Sequence, residues 1–297
     1  WMTNRARTSP RRVVLADGQN PLVIQAARQM VEEGVARPIL LGKPHKIIPR
    51  AEELGVSLEG IQVIHPALED DARYRYADEL YARRRRQGLT LAEARADMYK
   101  PISFGGMMVR LGEADALVAG IESNYPEVLR PALEVVGRRE GVSKVCGVYL
   151  VALPNRDLLF FADTTVNIDP DDQALADIAL LSATFVEELG ITPRIAMVSF
   201  SNFGSARHPE AEKVARAVEL VRAARPELEI DGEMQADTAV DPRKLAHIYP
   251  FSNLTEPANV LVFGNLSAAN VAYKLLDRLG GVEVIGPVLL GMAKPVH

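Results

Sequence analysis

Seven consecutive residues, Ser199-Phe-Ser-Asn-Phe-Gly-Ser205, set three hydroxyls and a glycine between a β-branched run and a helical pattern. Small residues at such a junction let backbone N–H groups approach an anion at a helix N-terminus. They suit an ordinary capped turn as well, and the spacing alone allows both. Arg83 to Arg86 could gather phosphates, or could be a solvated helix end stabilised by the helix dipole. Asp231-Gly-Glu-Met-Gln-Ala-Asp237 places three carboxylates after a short strand. Paired carboxylates can do acid–base work, and they equally suit an exposed loop. Asp163, Asp169, Asp171 and Asp172 could be taken for a metal cluster, but Asp-Pro followed by acidic residues is more simply a helix start. Lys274 and Arg278 are four apart in a helical pattern and so share one face.

Familiar nucleotide signatures are missing: there is no Gly-x-Gly-x-x-Gly after a strand and no Gly-x-x-x-x-Gly-Lys-Ser/Thr. His45, His65, His208, His247 and His297 form no pair at metal-ligand spacing, so no metal site is expected.

The elements that must carry these residues alternate between short β-branched runs and longer helical patterns, the signature of an α/β sheet with crossover helices. Strands are expected at 12–16, 38–41, 61–64, 114–120, 144–151, 158–162, 194–200, 229–231, 260–263 and 282–290. A hairpin turn is expected at Pro154-Asn155. Helices are expected at 21–33, 68–87, around Arg130, from Asp169-Pro170 through 190, at 209–224 and at 268–279. The helix over 68–87 has acidic residues in its first turn and arginines in its last, and Gly88 stops it. The break between two domains falls near 137–143. No internal repeat is found.

The chain has 297 residues, and 34 Lys+Arg against 39 Asp+Glu leaves a net charge of −5. Such a chain has no bulk attraction for nucleic acid or anionic membrane. The single cysteine excludes an internal disulfide framework and an all-cysteine metal site. No apolar run reaches the roughly 18 residues of a membrane span, and no signal-peptide core follows the basic N-terminus. A cytoplasmic protein is expected. Trp1 precedes Met2, which suggests a tag scar or a piece of a longer polypeptide.

Several motifs together resemble phosphate acetyltransferases, in matching order from about residue 12 to residue 297. They are Leu129-Arg-Pro-Ala-Leu133, Phe161-Ala-Asp163 with Val166-Asn-Ile-Asp-Pro170, and Gln173-Ala-Leu-Ala-Asp-Ile-Ala179. To these belong Ala196-Met-Val-Ser-Phe-Ser201 with Gly204-Ser205, Asp231 to Asp237, Ala258 to Phe263, Asn270-Val-Ala-Tyr-Lys274 and Gly286-Pro287. Ser201-Asn-Phe-Gly-Ser205, Asp163-Thr-Thr-Val-Asn167, Asp231-Gly-Glu-Met234 and Ala268-Ala-Asn270 are most similar to the acetyltransferase-like C-terminal domain of NADP-dependent malic enzymes. Asn124-Tyr125 stands where transferases carry small hydroxyl residues.

The resemblance implies two α/β domains with a cleft between them, residues 1–140 with 288–297 and residues 141–287, in an isocitrate/isopropylmalate dehydrogenase-like architecture. It implies acetyl-CoA as the ligand, with Arg130, Arg278, Lys274 and Arg84 toward its phosphates and Ser199, Ser201 and Ser205 near the acetyl or phosphate end. Arginine suits phosphate because its planar fork binds two oxygens at once. The family's catalytic Asp-Leu-Ser-Arg-Gly-like loop would follow residue 297, so no catalytic residue is expected within this chain. The leading expectation is a regulatory domain through which acetyl-CoA inhibits oxidative decarboxylation of malate to pyruvate. NADP and a divalent metal would bind malic-enzyme domains preceding residue 1, and the domain would form a homodimer within a higher homo-oligomer. An active phosphate acetyltransferase is the alternative, and a module serving mainly assembly is a third.

Overall fold

The structure, a computed structural model, describes residues 2–154 and 157–297. Asn155, in the expected Pro154-Asn155 turn, lies outside the described residues. The chain divides into two compact units, Trp1–Arg139 with Met292–His297, and Glu140–Gly291.

The first unit contains α1 (Met2–Thr8), β1 (Arg11–Leu15), α2 (Pro21–Glu32), β2 (Ala36–Leu41), α3 (Pro44–Glu53) and β3 (Gln62–Ile64). It continues through α4 (Asp70–Arg84), α5 (Leu91–Asp97), α6 (Pro101–Arg110), β4 (Ala116–Val118) and α7 (Tyr125–Val135). Its four strands run parallel in the order β3-β2-β1-β4. A parallel sheet is covered on both faces, so its strands are nearly continuously apolar. Val14, Leu40 and Leu41 are accordingly buried. Asn20 caps α2 through its side chain and Pro21 opens the first turn, which turns Ile24 and Ala27 toward Leu15, Leu40 and Ile47. The chain's last residues return to this unit beside β4. The Leu117 N–H donates to the Pro295 carbonyl at 3.1 Å, and the His297 N–H donates to the Leu117 carbonyl at 2.8 Å.

The second unit contains β5 (Cys146–Ala152), β6 (Leu158–Ala162), α8 (Asp172–Glu188), β7 (Arg194–Val198), α9 (Pro209–Ala224) and β8 (Glu229–Met234). Then come α10 (Ala236–Val240), α11 (Pro242–His247), β9 (Val260–Phe263), α12 (Leu266–Leu279) and β10 (Glu283–Leu290). The sheet order is β10-β5-β6-β9-β7-β8. Its first two pairings are antiparallel and the others parallel. Leu175, Ile178 and Val186 of α8 and Val214 and Val221 of α9 bury one face against Val148, Phe160 and Ile195. Ala239 of α10 and Ala269 and Tyr273 of α12 bury the other against Phe161, Ala196 and Leu261. The unit ends after β10, because that strand stays paired with β5 through Leu290.

Three expected boundaries are corrected. The helix expected from Asp169-Pro170 starts at Asp172, because Asp171 is its cap and accepts the Ala174 N–H at 2.8 Å. The helix expected over 68–87 is α-helical only from Asp70 to Arg84, with 3-10 turns at Pro66–Leu68 and Arg85–Gln87. Glu69, at ψ 64°, is off the helical path and separates the first turn from α4. The strand expected at 229–231 runs on to Met234, since its pairing with β7 continues across a register shift.

Candidate functional site

In the second unit, β7 leads through α9 to β8 on one face of the sheet, and β9 leads into α12 on the other. Open α/β sheets place ligands where neighbouring strands diverge in this way, beyond their carboxyl ends. The loop after β7 is the Ser199-to-Ser205 segment. Beside it lies a cavity of about 340 Å³ lined by Ser199, Phe200, Glu210, Val214, Phe263 and Asn265. A larger hollow of about 620 Å³ lies around the amino ends of β7 and β9. There Asn259 accepts the Arg194 N–H and donates to the Thr192 carbonyl, both at 2.8 Å, so its amide is committed to holding the strands.

The three candidate serines separate by environment. Ser201 is wholly buried and donates to the Glu233 carboxylate at 2.9 Å, while its oxygen accepts the Ala206 N–H at 3.1 Å. Ser205 is exposed and accepts the Asn202 N–H at 2.9 Å. Ser199 lines the cavity, and its hydroxyl has only the Ser201 N–H, at 3.5 Å, as a partner among the described residues. Glu233 also takes the Gly204 N–H at 2.6 Å. Asn202 and Gln235 bond reciprocally, with the Gln235 N–H donating to the Asn202 side chain at 2.8 Å and the Asn202 amide donating back at 3.0 Å. The loop is therefore clasped by residues 233–235.

The carboxylates resolve into anchors. Asp231 is buried, receives Arg222 at 2.7 Å, and takes the Ser252 hydroxyl and Asn253 N–H at 2.8 and 2.7 Å. Asp237 is exposed and pairs with Lys244. Asp163, read from sequence as part of a helix start, instead accepts four backbone N–H groups, from Gly147, Thr165, Val166 and Asn167. It closes a turn after β6, more than one helical turn before α8 begins. Asp169 pairs with Lys213 at 2.8 Å and Asp172 with Arg216 at 2.7 Å.

The two cations on α12 are exposed. Arg278, with 85% of its side chain accessible, lies 3.5 Å from neighbouring Asp277. Lys274 is exposed one turn earlier.

The first unit contains the other two candidates. Arg83 donates to the Val135 carbonyl at 2.6 Å and Arg110 to the Val136 carbonyl at 2.8 Å, so both close the end of α7. Burial, then the nearby Arg110 charge, lowers the Arg83 pKa. Arg84 lies 3.6 Å from Glu134 of α7. Arg130 is exposed one turn before Glu134 on the same helix, with no ion-pair partner among the described residues. Arg84 and Arg130 thus flank one stretch of surface, and Glu134 is the carboxylate that the sequence reading missed. Its four-residue spacing from Arg130 was legible; its approach to Arg84 was not.

At the carboxyl ends of β1 and β4, three backbone donors are already taken by carboxylates. Asp17 accepts the Gly120 and Ile121 N–H groups at 2.8 and 3.2 Å, and Glu127 accepts the Asn124 N–H at 2.9 Å. Asn20 donates to Glu122 at 3.0 Å. An arriving phosphate would meet carboxylates there.

Comparison with known proteins accords with this architecture. A family model described as phosphate acetyl/butaryl transferase matches residues 1–297. The NADP-dependent malic enzyme of Escherichia coli (strain K12) is 40% identical over 99% of this chain, which spans only 39% of that protein. The phosphate acetyltransferase of Clostridium acetobutylicum is 35% identical over 98% of this chain and 89% of its own length. The EutD phosphotransacetylase from Staphylococcus aureus superposes with a TM-score of 0.90 at 33% identity, covering 100% of this chain and 90% of that one. The family model over the whole length, the sequence similarity and the superposition agree: the chain belongs to the phosphate acetyl/butaryl transferase family.

Proposed function

We propose that this chain is the acetyl-CoA-sensing region of a malic enzyme and that it transfers no acetyl group itself. Acetyl-CoA bound here lowers the oxidative decarboxylation of malate to pyruvate in the rest of that enzyme, which supplies NADP and the divalent metal. Arg84 and Arg130 in the first unit, and Lys274 and Arg278 in the second, take phosphate groups. Ser199 faces the acyl end, with Ser201 and Ser205 shaping its loop. For inhibition, acetyl-CoA must bind one conformation of the parent more tightly than another, since equal affinity shifts nothing.

One contrast carries the reading. Cations fit for phosphate are open to solvent on α7 and α12, whereas Ser201 and the donors around Gly120 are already spent on carboxylates of the chain itself. The matched malic enzyme, longer than this chain by more than half its own length, supports a parent of that kind.

Calorimetry should give saturable heat with acetyl-CoA and none with acetyl phosphate. No heat with acetyl-CoA at concentrations that saturate a transferase would end the reading.

The alternative is an active phosphate acetyltransferase. There the CoA thiolate attacks the acetyl carbonyl carbon, a carbon–sulfur bond forms, and phosphate leaves with the electrons of the broken carbon–oxygen bond. Similarity to transferases along most of their length favours it. Thioester formation from acetyl phosphate and CoA would establish it.

Pairing of two copies through this region, within a larger homo-oligomer, is also proposed. Val271, Leu275 and Leu279 form an exposed apolar stripe along α12, beside the stripe of Lys274 and Arg278. Sedimentation as a monomer at micromolar concentration would refute it.

A further inference from the structure

We infer that Glu134 is a built-in competitor for the anion site of the first unit, an inference resting on the reading of Arg84 and Arg130 as phosphate ligands. The Arg84 guanidinium lies 3.6 Å from the Glu134 carboxylate, beyond hydrogen-bond range. Both side chains reach solvent, with 24% and 41% of their surfaces accessible. Exposed pairs of this geometry are weakly held. Arg130 is a near neighbour on the same helix, four residues before Glu134. Of the neighbouring cations, Arg83 is committed to the Val135 carbonyl and Arg110 to the Val136 carbonyl, while Arg85 and Arg86 stand exposed on the turn that follows Arg84. A phosphate or diphosphate group reaching Arg84 and Arg130 must therefore exchange with the Glu134 carboxylate, or bind beside a like charge. The carboxylate holds affinity down, so that the site fills only when the ligand is abundant.

Inorganic pyrophosphate probes this site without assuming the rest of the ligand. Calorimetric titration of the 297-residue chain should show pyrophosphate binding about three- to tenfold tighter in Glu134→Gln than in wild type at low salt. Glu134→Ala, which removes the charge without leaving an amide, should show the same gain. Arg84→Gln added to either variant should abolish it. Pyrophosphate affinity that is unchanged or weaker in both Glu134 variants, or no binding to any of the proteins, overturns the competitor role. Weaker binding would mean instead that Glu134 positions Arg84. A gain for pyrophosphate without any binding of acetyl-CoA would uphold the role of Glu134 while refuting the proposed effector.

Discussion

Glu233 accepts the Ser201 hydroxyl at 2.9 Å, with both residues almost wholly shielded from solvent. The contact is structural: it ties the loop after β7 to the end of β8. Removing the hydroxyl in Ser201→Ala withdraws one donor from a buried carboxylate and should cost about 1–3 kcal/mol. Ser199→Ala, at the cavity wall, should stay within about 0.5 kcal/mol of wild type. Urea unfolding of the two variants measures the difference, and equal midpoints would remove Ser201 from the clasp.

Gly232 precedes that glutamate at φ +140°, where a Cβ would come within 2.6 Å of the Met197 carbonyl oxygen. Both backbone strain and overlap follow from adding one methyl group. Gly232→Ala should lose about 3 kcal/mol or more, measured as a lower thermal midpoint. A variant as stable as wild type would show that β7 and β8 can separate locally.

Arg12 grips Asp115 with two side-chain contacts of 3.0 and 3.2 Å and with its backbone N–H at 2.8 Å. The guanidinium bonds first, then the backbone N–H, hold the Asp115 carboxyl down at about 2. A depressed carboxyl contributes stability that is complete above its unfolded value near 4 and lost as the pH falls toward 2. The stability gap between wild type and Asp115→Asn should therefore shrink as pH drops from about 5 to 2. Chemical denaturation across that range tests it, and a constant gap would rule it out.

Cys146 is fully buried, and burial, then the Asp163 charge, pushes its thiol well above the usual value. The thiolate is the reactive form. An aromatic disulfide reagent should leave the native protein unlabelled and label one thiol per chain after unfolding in guanidinium. Fast labelling without denaturant would reveal local opening of β5.

Arg278 projects into solvent along most of its side chain. Under the proposed function, in which Arg278 bonds a CoA phosphate, Arg278→Ala should weaken acetyl-CoA binding about tenfold to a hundredfold and leave uninhibited malate turnover of the proposed parent enzyme nearly unchanged. Wild-type inhibition curves from the folded variant would reduce it to a surface cation.

Much of the architecture was legible because its signals are local. The turn from β1 into α2 is written in Asn20-Pro21, and α9 runs from Pro209 to Ala224 as the pattern predicted. Short helices such as α3, α5 and α6 were not read. The seven buried residues of α6, with Gly105 and Gly106 among them, show no amphipathic face to detect.

By itself, then, the sequence determined the alternation of strands and helices, the family's motif order and which arginines and serines were worth testing. Periodicity and capping act over one or two turns, so they are visible in a single stretch of chain. Only the tertiary structure decided the roles of residues that look alike in the sequence. Three serines within seven residues became a buried tether, a turn acceptor and a cavity wall, because Glu233 approaches one of them from 32 residues away. Two adjacent arginines parted likewise, Arg83 sealing the end of α7 and Arg84 remaining near solvent beside Glu134. A hydrogen bond across such separations depends on how the sheets and helices pack, and no local pattern encodes it.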